Sequence, residues 1–178
     1  MMTSKGRLAI GDPLHSRPVA VTYGVDGNGD PDVTLFFGTN AGNLHAVNAT
    51  TGGEQFTYIP RELLDLQQPL RANEGSINHY YGLDGSPAVW TKNSGSPAIS
   101  SGEGDHVYLY IGQRRSGRNY YALDVTNRAA PKLKWKINGG SGDFIDLGQT
   151  WARPIPGKLN IDGVATDVLY ITGGYDES

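Results

Sequence analysis

Oxygen-bearing side chains stand at every second position from residue 26 to residue 34: Asp26, Asn28, Asp30, Asp32 and Thr34. Small residues at Gly27 and Gly29 let a backbone coil tightly, so these oxygens can converge on one hard cation. Calcium takes roughly six to eight oxygen ligands. Four Asp/Asn groups, with Thr34 or a backbone carbonyl added, therefore make Ca2+ the cofactor this segment predicts. The spacing is not that of an EF-hand, because Pro31 stands where the turn glycine belongs and Phe37 where the bidentate Glu belongs. A plain hairpin turn is the other reading, since Asp-Gly and Asn-Gly are ordinary hairpin chemistry. Gly-x-Gly-Asp also recurs as Gly102-Glu103-Gly104-Asp105 before the equivalent strand. The residues leave both readings open, and the third loop of this kind, Asn160-Ile161-Asp162-Gly163, carries fewer oxygens.

Other reactive groups are sparse. His15 has no second His or carboxylate at ligand spacing, so it is expected to hydrogen-bond between neighbouring units instead of holding a metal. Arg114, Arg115 and Arg118 form the one basic cluster and are expected at a solvated hairpin tip. The chain has 0 cysteines, which excludes disulfides, thiolate catalysis and cysteine metal sites. Neither a Ser-His-Asp order nor zinc spacing nor a phosphate loop is present. A net charge of −3 gives no footprint for nucleic acid. No apolar run approaches the ~20 residues of a membrane helix. Residues 1–10 hold too short an apolar stretch for a signal peptide, so the signal of a secreted parent is expected upstream of this fragment.

The elements that position these residues are short strands. Val33 to Tyr58 holds three β-branched or aromatic runs broken by Gly, Asn and Thr, the pattern of an antiparallel meander. The same order returns from Val107 to Ile137, and a third copy begins at Asp167. In front of each copy a proline opens a further strand, at Pro18, Pro87 and Pro154, intervals of 69 and 67 residues. Four short antiparallel strands repeated at near-constant period predict an all-β fold of β-propeller blades. The units are expected at 11–83, 84–150 and 151–178, within one domain. That makes about two and a half blades, where closed propellers need about four to eight. The chain therefore reads as a piece of a larger propeller, or as one whose open blade edges self-associate.

Further elements are expected around the sheets. Leu8 to Ile10 reads as the last strand of a preceding blade. Pro60 to Leu70 reads as a short outer helix limited by Pro69, with Leu63, Leu64 and Leu66 on its buried face. Arg71 to Tyr81 reads as a polar loop leading to the next inner strand. The runs Leu44 to Thr50 with Phe56, and Tyr121 to Thr126 with Trp135, share a small residue, a large apolar one, Asp or Asn, then Thr, and a distal aromatic. The aromatic should dock between neighbouring blades while the Asp or Asn and Thr cap the turn.

This signature resembles the tryptophan-docking repeats of quinoprotein dehydrogenases. More specifically, GDPLHSRPV at Gly11 to Val19, FFGTNAGNLHAVNATTGGEQFTYIPRELL at Phe36 to Leu64 and YALDVT at Tyr121 to Thr126 resemble the C-terminal propeller of type IV pilus tip-associated biogenesis and adhesin proteins of the PilY/PilC kind. The resemblance implies a non-enzymatic cell-surface protein at the pilus tip or outer membrane, acting in pilus assembly and adhesion. Its implied partners are pilins, minor pilins and host or surface receptors. It also implies calcium in an acidic loop, onto which Asp26, Asn28, Asp30 and Asp32 map; Thr34 stands where that loop expects an acidic residue. A fragment of a quinoprotein dehydrogenase is the enzyme-class alternative, and a ligand-free structural propeller is the other.

Overall fold

The computed structural model describes residues 10–72 and 79–175. Its first sheet is β1 (Val19–Val25), β2 (Pro31–Gly38), β3 (Leu44–Asn48) and β4 (Glu54–Tyr58), paired in that order and all antiparallel. The second is β5 (Ala88–Lys92), β6 (His106–Gly112), β7 (Tyr120–Asp124) and β8 (Lys132–Ile137), with the same order and sense. A hairpin, β9 (Ile155–Ile161) and β10 (Val164–Tyr170), follows. The fold is thus all-β, with two four-stranded propeller blades and the inner half of a third, an arrangement that does not close on itself. Pro18, Pro87 and Pro154 each stand immediately before the first residue of an inner strand, where a missing N–H takes nothing from the ladder.

Register shows why the repeats pack. Phe36 lies opposite Ala46, which lies opposite Phe56, and in the second blade Tyr110, Ala122 and Trp135 occupy the same three places. A small residue on the middle strand leaves room for the two aromatics beside it. Phe36 and Phe56 lie 6.1 Å apart and Tyr110 and Trp135 5.8 Å apart. The Phe36 face of the first blade meets Val107, Leu109, Ile111, Tyr121 and Leu123 of the second in one buried cluster. The turn caps also form as expected. Asn48 Oδ1 accepts the Thr50 and Thr51 amides at 3.0 and 2.8 Å, and Asp124 Oδ1 accepts the Thr126 amide at 3.0 Å.

At the inner end, equivalent positions of successive repeats bond to one another. The Ser16 hydroxyl donates to the Gly85 carbonyl at 2.8 Å and accepts the Gly38 amide at 2.8 Å. Gly38 tolerates no side chain, because a Cβ there would stand 2.1 Å from the Leu83 carbonyl oxygen. Arg153 Nε donates to the Pro87 carbonyl at 2.9 Å, tying the third unit to the second.

The outer helix departs from expectation. The outer helix is two pieces, a 3₁₀ segment at Arg61–Leu66 and a short α1 at Gln67–Ala72. Pro69 does not end the helix. It sits in the first turn of α1, where its missing N–H would have had no intrahelical partner. Leu63 is buried, Leu66 packs at the core's edge, and Leu64 faces solvent. Ile10 is in no strand, and the rest of the strand expected at Leu8 to Ile10 lies outside the described residues, as do residues 73–78 of the polar loop. Finally, the third loop is a two-residue turn whose Asp162 and Gly163 both have positive φ, at 51° and 83°, the hairpin turn that matches strand twist.

Candidate functional site

The five oxygen-bearing residues divide into two groups. Asp26, Asn28 and Asp30 lie in the exposed turn between β1 and β2. Asp26 Oδ1 accepts the amides of Asn28 at 2.8 Å and Asp30 at 3.0 Å, while the Asp26 amide donates to the Asp30 carbonyl at 2.7 Å. Gly29 closes this turn at φ 87°. A register shift between Thr22 and Val25 precedes it, as bulges do where a strand must redirect its end.

Asp32 and Thr34 belong to β2 and, by strand alternation, share the face turned to the second blade. There they meet Arg128, from the turn between β7 and β8. Arg128 Nη1 donates to Asp32 Oδ1 and to Thr34 Oγ1, each at 2.9 Å, and Nη2 donates to Asp32 Oδ2. The fork is bidentate, and both side chains are only 22% exposed. Thr34 is fully buried and passes its own proton to Gln55 Oε1 at 2.8 Å. The guanidinium lies over the Tyr23 ring at 4.2 Å, and the Tyr23 hydroxyl donates to the Val125 carbonyl at 2.8 Å.

The electrostatics follow from these contacts. Arg128 bonding holds the Asp32 carboxyl below its ordinary range against the opposing effect of burial, and Asp32 raises Arg128 in turn. Burial pushes the Tyr23 phenol well above its usual range, which Arg128 opposes. A groove of about 650 Å³ opens beside the pair, lined by Tyr23, Gln55, Ser100, Thr126 and Arg128 among others.

In this arrangement the five residues do not stand together as one ligand set. Among the described residues no three His, Asp or Glu side chains come together as metal ligands, and Asp32 is taken by a cation the protein itself supplies. Sequence reasoning missed Arg128. It lies 96 residues from Asp32, in a polar break whose composition announces only a turn.

A second polar knot sits at the inner end of the repeats. His15 Nδ1 is 2.8 Å from Asp84 Oδ1, and Arg114 Nη1 donates to Asp84 Oδ2 at 2.9 Å. His15 is thus the inter-unit hydrogen-bonding residue expected of it. Arg114 is drawn in from the solvated tip expected of it, while Arg115 is exposed but laid on an aromatic ring. Arg114 lies 4.7 Å over the Trp151 ring, while Arg115 lies 4.5 Å over Tyr81 and donates to its hydroxyl at 2.7 Å. The turn after β6 runs back against the next inner strands, which turns the arginines onto the seam. A third tie joins the outer helix to the second blade: Glu62 Oε1 accepts from Tyr121 at 2.5 Å, Lys136 at 2.6 Å and Asn119 at 2.7 Å. Burial raises the Glu62 carboxyl, but the bonds from Lys136 and Tyr121 outweigh it and bring it down to about 2.

No family model matches the chain. Over 128 residues, 71% of its length, the chain is 33% identical to the type IV pilus biogenesis factor PilY1 of Pseudomonas aeruginosa PAO1, of which the match covers 10%. It is 28% identical over 172 residues to PilY1 of strain UCBPP-PA14, covering 85% of this chain and 14% of that protein. Among solved structures it is similar to the crystal structure of the P. aeruginosa PilY1 C-terminal domain, at 30% identity and TM-score 0.49 over 72% of this chain and 23% of that one. The chain therefore belongs to the PilY1 family of type IV pilus biogenesis factors, spanning about a tenth of the length of the curated relatives it matches.

Proposed function

We propose that this chain is a non-enzymatic propeller module of a type IV pilus assembly and tip-adhesion protein. It works at the cell surface, at the pilus tip or outer membrane, against pilins, minor pilins and host or surface receptors. The observation that carries this reading is the 33% identity over 71% of the chain to a pilus biogenesis factor. The described ion-pair networks support the non-enzymatic part, since Asp32–Arg128, His15–Asp84 and Glu62–Lys136 each tie one repeat to the next. The test is deletion of this segment in the organism that encodes it. Loss of surface pili, twitching and adhesion is expected; unchanged piliation and adhesion would sink the reading.

Calcium regulation through Asp26, Asn28, Asp30, Asp32 and Thr34 is the finer part of the proposal. Its support is the alternation of oxygens and the position of the turn beside the first inter-blade seam. A cation drawing on Asp32 must take it from Arg128, so calcium binding and the inter-blade ion pair compete. Calorimetry with calcium chloride should show saturable binding to the chain, none to the Asp26→Ala/Asp30→Ala variant, and tighter binding to Arg128→Ala. No heat in any of the three would leave the segment a hairpin turn.

A further inference from the structure

His15, Asp84 and Trp151 occupy the same place in three successive repeats, each three residues before the proline that opens an inner strand. In the fold they converge. Asp84, 1% exposed, spends its two oxygens on His15 and Arg114. Arg114 lies over Trp151, Arg115 lies over Tyr81 and 5.5 Å from Trp151, and Tyr81 stands 6.4 Å from His15. The contacts close into a ring of six side chains drawn from four separate segments of chain.

Two features set this ring apart from a simple inter-repeat tie. Arg114 is held at φ 61°, one of two described non-glycine residues in the left-handed region. Unlike Asp162, the other, it is not in a two-residue hairpin turn, and such outliers cluster at functional sites. Arg115 is exposed, and its side chain makes one described hydrogen bond, to Tyr81. Asp84 is already committed to Arg114 and His15, so among the described residues no carboxylate neutralises Arg115. A guanidinium laid on an aromatic face presents its N–H edge outward, a geometry suited to bidentate pairing with a planar carboxylate. Part-exposed Trp, Tyr and Arg in one cluster is also the composition of interface hot spots.

We infer that this ring is a recognition site for an acidic segment of a partner protein, with Arg115 pairing a partner carboxylate and Tyr81 and Trp151 supplying the apolar walls beside it. The partner class follows from charge complementarity to Arg115, an exposed guanidinium with no ion pair to a described carboxylate. The site goes beyond the pilus reading and does not depend on it or on calcium.

The probe is a fluorescein-labelled, acetylated peptide of alternating Glu and Tyr, with the same peptide carrying Gln for Glu as control. Binding is followed by anisotropy on the full chain at physiological ionic strength. Saturable binding of the Glu peptide is expected, with the Gln peptide at least about tenfold weaker. Arg115→Ala should lose about tenfold, and Arg115→Lys should recover only part, because lysine keeps the charge and lacks the fork. Exposed Arg115 can be replaced without disturbing the core, and Lys132→Ala on β8 serves as a distant control that should bind as the parent does. Equal binding by Arg115→Ala, equal binding of the Gln peptide, or no binding at all would overturn the inference. So would displacement of the peptide by inorganic phosphate or a sulfated disaccharide at lower concentration than the unlabelled peptide, which would make the ring a general anion site.

Discussion

The two inter-blade faces of this chain begin from equivalent residues and end in different states. Phe36, Tyr110 and Tyr170 hold the same position in three successive repeats, with exposures of 0%, 7% and 45%. Phe36 is sealed because β6 and β7 of the second blade pack against its face, with Arg128 added at the outer end and Asp84 at the inner end. Glu62 adds a clamp from a connection that the first repeat alone has at this length. On the Tyr110 side the following unit offers the β9–β10 hairpin, which packs against β5, and Trp90, Tyr108 and Trp135 stay half-buried. Past Tyr170 no strand pairs with β10 among the described residues. The repeat signature thus fixes which residue can be buried. The outer strands of the following unit decide how much burial it obtains.

The comparison predicts its own gradient. Phe36→Ala empties a fully buried site and should cost about 3–5 kcal/mol of unfolding free energy, while Tyr170→Ala should cost less than about 1 kcal/mol. Urea denaturation of the two variants measures both. Similar losses would mean that the third hairpin is as tightly packed as the first interface. One step smaller, Asp84→Ala strips a buried carboxylate from His15 and Arg114 and should cost about 3 kcal/mol. Arg153→Ala, which removes one hydrogen bond at the second interface, should cost about 1 kcal/mol. An Asp84→Ala variant as stable as Arg153→Ala would show that the inner ring contributes recognition geometry and little stability.

Much of this interface is written in the sequence, and the reason is periodicity. Alternation along Leu35 to Gly38 and Val107 to Gly112, together with the recurring Ala and distal aromatic, suffices to place Phe36, Ala46 and Phe56 on one face and Tyr110, Ala122 and Trp135 on its counterpart. The capping roles of Asn48 and Asp124 are legible because each turn is local. The pairings that shape the candidate site are not local. Asp32 and Arg128 come together only once two blades have packed. Nothing in an Asn-Arg turn separates an inter-blade bolt from a solvated tip, and the same blindness misplaced Arg114, which pairs with Asp84. The alternation of oxygens at residues 26 to 34 is also ambiguous in itself. The strand begins at Pro31, so Asp32 and Thr34 follow the pleat toward the second blade while Asp26, Asn28 and Asp30 follow the turn.

Tyr23 sharpens the contrast at lower amplitude. The registers of Val19 with Phe36 and of Ala88 with Tyr110 make Lys92 its counterpart in the second blade. Among the described residues, only the first interface has a phenol at this position reaching across to a carbonyl; the phenol-to-carbonyl bond of the second, Tyr120 to Ala152 at 3.2 Å, comes from a different strand. Tyr23→Phe leaves the ring under Arg128 but orphans the Val125 carbonyl, and should cost about 1 kcal/mol. Lys92→Met, which removes no described hydrogen bond, should be near neutral. Thermal melts of both variants report the difference, and a neutral Tyr23→Phe would leave the outer end of the seam resting on Arg128 and Asp32.

The smallest effect is resolved by pH. Glu62 is drawn from its ordinary value of 4.5 to about 2, since the bonds from Lys136 and Tyr121 outweigh the burial that opposes them. A carboxyl depressed in the folded state binds fewer protons there than in the unfolded chain. Its stabilising contribution is therefore complete above the unfolded value and disappears as pH falls through the folded one. The stability difference between the parent chain and Glu62→Gln should accordingly be flat from neutral pH to about 5 and decline between about 4.5 and about 2. With its side chain 31% exposed, Glu62 is screened by solvent and salt, so the amplitude is small and the window carries the information. Urea midpoints of the pair taken stepwise through this range make the test. A difference that persists unchanged to pH 2 would show that the amide of Gln replaces the carboxylate toward Tyr121 and Asn119, and that the Lys136 charge adds nothing to the clamp at the first interface.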